Sequence, residues 1–154
     1  MKKRMELTTV ETDEYAALID LWEASVRATH DFLQPGDVEF YRRRMPEYLR
    51  AVSLVAARHE GRIVAFMGVL GEEIEMLFVH PDFRGRGIGA RLVRHAVGER
   101  GCRRVEVNEQ NGQAVGFYER MGFRRIARAE ADAEGRPYPI LRLIWVGDVC
   151  GARE

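Results

Sequence analysis

The stretch Glu73-Ile74-Glu75-Met76-Leu77-Phe78-Val79-His80-Pro81-Asp82-Phe83-Arg84-Gly85-Arg86-Gly87-Ile88-Gly89-Ala90 decides how this chain folds. Its first seven residues are mostly apolar and read as a strand, and Pro81 ends the run because it cannot donate to a ladder. A glycine-rich loop follows. From about Gly89, the residues Leu92, Val93, Ala96 and Val97 recur at helical spacing, so the order is strand, loop, helix.

Working upstream, the apolar runs Ser53 to Ala57 and Ile63 to Leu70 flank His59-Glu60-Gly61-Arg62 and read as an antiparallel hairpin. Met5 to Val10 alternates as a strand. Thr12 offers an N-cap, and Tyr15, Leu18, Ile19, Trp22 and Val26 form the apolar stripe of a first helix. Val38, Phe40, Tyr41 and Met45 predict a second helix that Pro46 should kink or stop. Downstream, Arg104 to Asn108 is a strand and Gln113 to Met121 a short helix ended by Gly122. Phe123 then opens a strand that closes in a hairpin with Leu141 to Val146. The expected architecture is α/β with a mixed sheet, and residues 1–154 show no repeat or linker that would divide them.

Composition narrows the function. The chain has 154 residues, 46% hydrophobic and 31% charged, which suits one globular domain. No apolar run approaches the roughly 20 residues that span a bilayer, so no membrane role is expected. Met1-Lys2-Lys3-Arg4 is basic, but the apolar stretch of a signal peptide does not follow it, and the cytoplasm is the expected location. Twenty-four basic residues balance 24 acidic ones, which disfavours nucleic acid as a partner. Cys102 and Cys150 lie far apart, and His30, His59, His80 and His95 lack ligand spacing, so neither disulfide nor metal is expected.

The segment Arg84-Gly85-Arg86-Gly87-Ile88-Gly89-Ala90 suits an anion. Glycines let the backbone approach a ligand, the first helical amides lack acceptors, and the helix dipole adds about half a positive charge there. Arg84 and Arg86 could add charge-assisted bonds to phosphate oxygens. The spacing Gly85-x-Gly87-x-x-Ala90 also fits the loose dinucleotide pattern, with Glu109 about 20 residues on. However, His80-Pro81-Asp82-Phe83 separates strand from glycine, and two helices and four strands come first. That context disfavours a nicotinamide cofactor, and the absence of Gly-Lys-Ser/Thr excludes a P-loop.

With its neighbours, the loop resembles the coenzyme A site of the GNAT N-acetyltransferase superfamily, whose signature is Gln/Arg-x-x-Gly-x-Gly/Ala. Arg84-Gly85-Arg86-Gly87-Ile88-Gly89 matches it, and Asn111, Ala114, Phe117-Tyr118 and Gly122-Phe123 match the family pattern downstream. The resemblance implies a mostly antiparallel mixed sheet of about six or seven strands flanked by about four helices. In it the parallel fourth and fifth strands splay apart. It implies acetyl-CoA as cofactor, with Leu77, Phe78 and Val79 pairing to its pantetheine amides. The segment 84–90 (Ile88 and Ala90 included) would take its pyrophosphate, and Asn111 and Tyr118 would line the same site.

The same resemblance implies direct transfer of acetyl to an amine, from either a small molecule or a protein. An alkylamine of pKa about 10.4 is almost wholly protonated at pH 7, so a base is needed, and Glu75 is the candidate. Tyr118 occupies the position of the acid that would protonate the departing thiolate, and an amide near Phe78 would stabilise the oxyanion. Trp22, Ser25, Thr29, His30, Phe32, Asn108 and Tyr138 are candidates for the acceptor side, with His30 an alternative base. A non-catalytic acyl-CoA-binding or protein-interaction module is the other reading. A homodimer is consistent with the resemblance.

Overall fold

The structure, a computed structural model, describes residues 5–147. Among the described residues, the alternating apolar segments become β1 (Met5–Thr8), β2 (Ser53–His59), β3 (Arg62–Leu70), β4 (Glu73–Val79), β5 (Arg104–Asn108), β6 (Phe123–Ala129) and β7 (Ile140–Trp145). The helical periodicities become α1 (Tyr15–Thr29), α2 (Asp37–Arg50), α3 (Ile88–Glu99) and α4 (Gly112–Arg120).

The strands form one sheet in the order β1-β2-β3-β4-β5-β7-β6. Every neighbouring pair is antiparallel except β4 and β5. This is the mixed sheet expected from the sequence, with its parallel fourth and fifth strands in place. Their pairing is short: only Glu73 with Arg104 and Ile74 with Val105 share a ladder, after which the two strands part.

Helices cover both faces. On one, Leu92, Val93 and Ala96 of α3 pack with Met67, Ile74, Val105 and Leu143 of the sheet. On the other, Leu18, Trp22 and Val26 of α1 and Met45 and Leu49 of α2 close over Phe66. Each face thus buries a stripe spaced three or four residues apart in helix and two apart in strand.

Several local expectations are corrected. Thr12 does not cap α1: a 3-10 turn over Thr12–Glu14 precedes it, and the Glu11 N–H donates to Glu14 Oε1 at 3.0 Å. Pro46 does not stop α2, which runs to Arg50. Met45 and Leu49, 2% and 0% exposed, sit one turn apart across the proline, and their burial offsets the single ladder bond it removes. β1 ends at Thr8 opposite Ala56, because Val10 already turns toward the cluster under α1. Cys150 lies outside the described residues, as do Lys2 and Lys3. Among the described residues no helix is long and apolar enough to cross a membrane, and no cluster of histidine, cysteine or carboxylate residues suits a metal.

Candidate active site

The site begins with an irregularity in β4. Met76 pairs with Gly68 and Ile74 with Val69, so Glu75 is an extra residue opposite the Gly68–Val69 step. This is a β-bulge, which bends the strand and frees the inserted residue from the ladder. Just beyond it β5 has stopped pairing, so the edge of β4 from Glu75 onward has no strand partner on the β5 side. Its N–H and C=O groups there remain available to a ligand.

Three cavities meet at this opening. A cleft of about 620 Å³ lies over the splayed strands and is lined by Leu77, Val79, Arg84, Gly85, Gly87 and Tyr118 among others. A slot of about 180 Å³ runs between β4 and β5 past Glu75, Phe78, Asn108, Asn111 and Tyr118. A third cavity, of about 240 Å³, lies under α1 and α2 and is walled by Trp22, Tyr41, Tyr48, Phe78 and Tyr138. Tyr118 and Asn111 are common to the cleft and the slot, and Glu75, His30 and Asn108 to the slot and the third cavity. The site is therefore a passage through the sheet at the point where its two central strands diverge.

The glycine loop forms one wall of the cleft. Gly85 and Gly87 adopt φ of +75° and +79°, which L side chains rarely tolerate, and Gly87 caps α3. The α3 ladder begins with Arg91 N–H donating to the Gly87 carbonyl at 3.0 Å, so the amides before it lack intrahelical partners. Ile88, Gly89 and Ala90 line the cleft with them. Arg84 is exposed at its rim and reaches Gln113 Oε1 at 3.5 Å. Arg86 turns away: its guanidinium stacks 4.6 Å from the Phe83 ring and donates to the Asp82 carbonyl.

Tyr118 of α4 is 6% exposed, its ring set between Phe117 and Phe123 at centroid distances of 5.1 and 5.5 Å. Among the described residues no hydrogen-bonding or charged neighbour contributes to the shift of its phenol, on which burial alone acts. Burial raises the phenol well above its ordinary value, so it stays protonated. Glu75 faces the slot from the other side. Partial burial, then the carboxylates of Glu73 and Glu106, hold it above the ordinary carboxylate value. A carboxylate and a phenol thus line one opening.

The remaining candidates separate into groups. Asn111 caps α4, its Oδ1 accepting from Ala114 N–H at 3.2 Å, and Asn108 Oδ1 accepts from Gln110 N–H at 2.9 Å. Thr29 lines the cleft over the splayed strands rather than the third cavity, while Trp22 and His30 line the latter. Phe32 is not among the residues lining these cavities, but its ring lies 5.1 Å from His30 and 5.9 Å from Tyr138. The Tyr138 hydroxyl is occupied: it donates to Asp37 Oδ2 and accepts from Gln34 N–H at 2.9 Å, so only its ring serves the cavity. Asp37, 3% exposed, also receives Arg136 at 3.1 Å.

Sequence reasoning missed Tyr41 and Tyr48, whose hydroxyls donate to Asp132 and Glu134 and tie the segment between β6 and β7 to α2. It also missed Gln113, Phe117 and Arg120 at the cleft. Helical spacing alone would have placed Tyr41, Met45 and Tyr48 on one face of α2, which was the available signal.

A family model described as "Acetyltransferase (GNAT) domain" matches residues 50–125. The peptidyl-lysine N-acetyltransferase YjaB of Salmonella typhimurium (strain LT2) is 43% identical over 134 residues, covering 86% of this chain and 92% of that protein. The apo-form YjaB structure from Escherichia coli superposes with a TM-score of 0.86 at 38% identity, over 94% of this chain and 99% of that one. PaiA N-acetyltransferase from Thermoplasma acidophilum, solved in complex with coenzyme A, shares the fold at 18% identity and a TM-score of 0.72, over 90% of this chain and 98% of that one.

Proposed function

The chain belongs to the GNAT acetyltransferase family, and from that premise we propose that it moves the acetyl group of acetyl-CoA to the ε-amine of a lysine side chain in a protein. As an N-acetyltransferase it needs a thioester donor and an amine acceptor. The observation that carries the reading is the passage through the splay of β4 and β5, with Tyr118 at the donor end and Glu75 at the acceptor end. Relatives named as peptidyl-lysine N-acetyltransferases support lysine as the acceptor. So does the third cavity, whose aromatic walls suit a chain of methylenes capped by an amine.

The residues present fit the donor. Free amides at the start of α3 and left-handed glycines suit the pyrophosphate, and the unpaired edge of β4 at Leu77 to Val79 suits the pantetheine amides. When bound, acetyl-CoA supplies an activated acyl carbon. Glu75, directly or through a water, takes the proton that a lysine ammonium must lose. Attack of the neutral amine on that carbon would form the C–N bond as the C–S bond breaks; Tyr118 would give its proton to the departing sulfur, and the second proton that the nitrogen sheds on becoming an amide would restore the phenol. We read residues 1–154 as one such domain, working in the cytoplasm.

Incubation of the protein with acetyl-CoA and lysine-containing peptides, following thiol release and peptide mass, tests the reading. Acetylated lysine at a rate above that of matched small amines supports it. Thiol release with small amines alone refutes the protein-lysine assignment.

A further inference from the structure

At the C-terminal end of α1 a chain of hydrogen bonds runs from the donor cleft toward the acceptor cavity. Thr29 Oγ1 donates to the Ser25 carbonyl at 2.8 Å, four residues back along the helix. The same oxygen lies 2.7 Å from Nδ1 of His30. A hydroxyl has a single proton to give. With that proton committed to Ser25, the contact to His30 can form only if Nδ1 carries hydrogen and donates to Oγ1. The ring is then the Nδ1–H tautomer, and Nε2 holds the lone pair.

His30 lines both the slot and the third cavity, as Glu75 does. We propose that Thr29 is a positioning residue: by fixing the tautomer of His30 it presents the Nε2 lone pair to one N–H of the acceptor amine where slot and cavity meet. The proposal rests on the lysine acetyltransferase reading above.

The chemistry favours this division of labour. A neutral primary amine has two N–H bonds and one lone pair. If Glu75 takes up one N–H and His30 the other, the lone pair is left to face the thioester carbon. A second carboxylate in place of His30 would stabilise the unreactive ammonium, whereas an uncharged acceptor orients the nitrogen without doing so. Burial lowers the imidazole to about 4, against a smaller opposing effect of Asp31, so the ring is neutral at physiological pH. Thr29 itself lines the donor cleft, which explains how a residue on that side can govern the acceptor.

The test combines spectroscopy with kinetics. In the 15N-labelled protein without ligand, long-range proton–nitrogen correlations of His30 should show hydrogen on Nδ1. In Thr29→Val, which keeps the shape and removes the hydroxyl, this preference should be lost. With acetyl-CoA and a lysine peptide, Thr29→Val should lower kcat about threefold to tenfold, the range one neutral hydrogen bond provides. Thr29→Ser should restore both tautomer and kcat. Hydrogen on Nε2 in the unaltered protein, or an unchanged kcat in Thr29→Val, overturns the proposal. If the unaltered protein acetylates no lysine peptide while Nδ1 still carries hydrogen, the lysine reading has failed, and the positioning role falls with it.

Discussion

Replacing Tyr118 with phenylalanine separates chemistry from stability more cleanly than any other change at this site. Among the described residues no hydrogen-bonding neighbour acts on the phenol, so removing the hydroxyl should leave the packing of the ring in place. The ring contacts with Phe117 and Phe123, at 5.1 and 5.5 Å, survive in the variant. Unfolding free energy should therefore change by less than about 1 kcal/mol, a shift in Tm within roughly 2–4 °C for a domain of this size. The rate should behave differently. A positioned proton donor contributes about 10²–10⁴, so kcat should fall at least about a hundredfold, or about 2.7 kcal/mol of barrier, while KM for acetyl-CoA holds within about a factor of three. Because burial raises the phenol, any loss of kcat from its ionisation should begin above the ordinary phenol value of 10.0. Initial rates of thiol release beside thermal melts of both proteins decide the matter. A Tyr118→Phe enzyme with unchanged kcat would remove Tyr118 as the acid, and a Tm drop well beyond 4 °C would show that the hydroxyl is held by the fold.

Glu75→Gln should lower kcat by about 10² or more. Since Glu75 must be ionised to take a proton and its surroundings raise its pKa, the acid limb of the kcat profile should lie above the ordinary carboxylate value of 4.5; a pH series placing it at or below that value would rule Glu75 out as the base. Gly87→Val puts a β-branched side chain at φ +79° in the loop, so KM for acetyl-CoA should rise about tenfold or more in saturation kinetics, with the lysine-peptide KM little changed. Tyr138→Phe takes one partner from the buried Asp37 carboxylate and one from Gln34 N–H. Urea denaturation should show a loss of about 1–3 kcal/mol, and an unaltered midpoint would mean the contact contributes nothing.

How much of this was legible beforehand follows from the range of the forces involved. The glycine loop and the helix after it could be read because their constraints are local. Left-handed φ at Gly85 and Gly87, and a first turn of amides without acceptors, are properties of adjacent residues. The sheet, too, was legible, since alternation and turn chemistry set each strand. Thr12 misled because Glu11 and Glu14 formed a competing local bond, and Pro46 because the burial of Met45 and Leu49 is a tertiary effect. The acceptor cavity was least legible. Tyr41 meets Asp132 and Tyr48 meets Glu134 across roughly ninety residues of chain, and no local pattern announces such pairs. A comparable separation hides the latch of Asp37 to Tyr138, which occupies the hydroxyl and leaves the ring to line the cavity.

One inserted residue links the fold to the chemistry. Without Glu75 as an extra residue, Ile74 and Met76 would continue the regular register of β4 against Val69 and Gly68. β4 could then stay parallel and paired to β5 beyond Val105, closing the slot with ladder bonds. The bulge prevents this at the step where the β4–β5 ladder ends, after the Ile74–Val105 pair. It also changes which way the side chains fall. Ile74 belongs to the core under α3, whereas Glu75 and Met76 both line the cavity under α1 and α2, a pair of neighbours on one side that regular pleating forbids. The opening between β4 and β5 and the carboxylate beside it therefore have a common origin. That coupling explains why a charged residue is tolerated at the centre of the sheet: beside the gap Glu75 stays exposed rather than packed under a neighbouring strand.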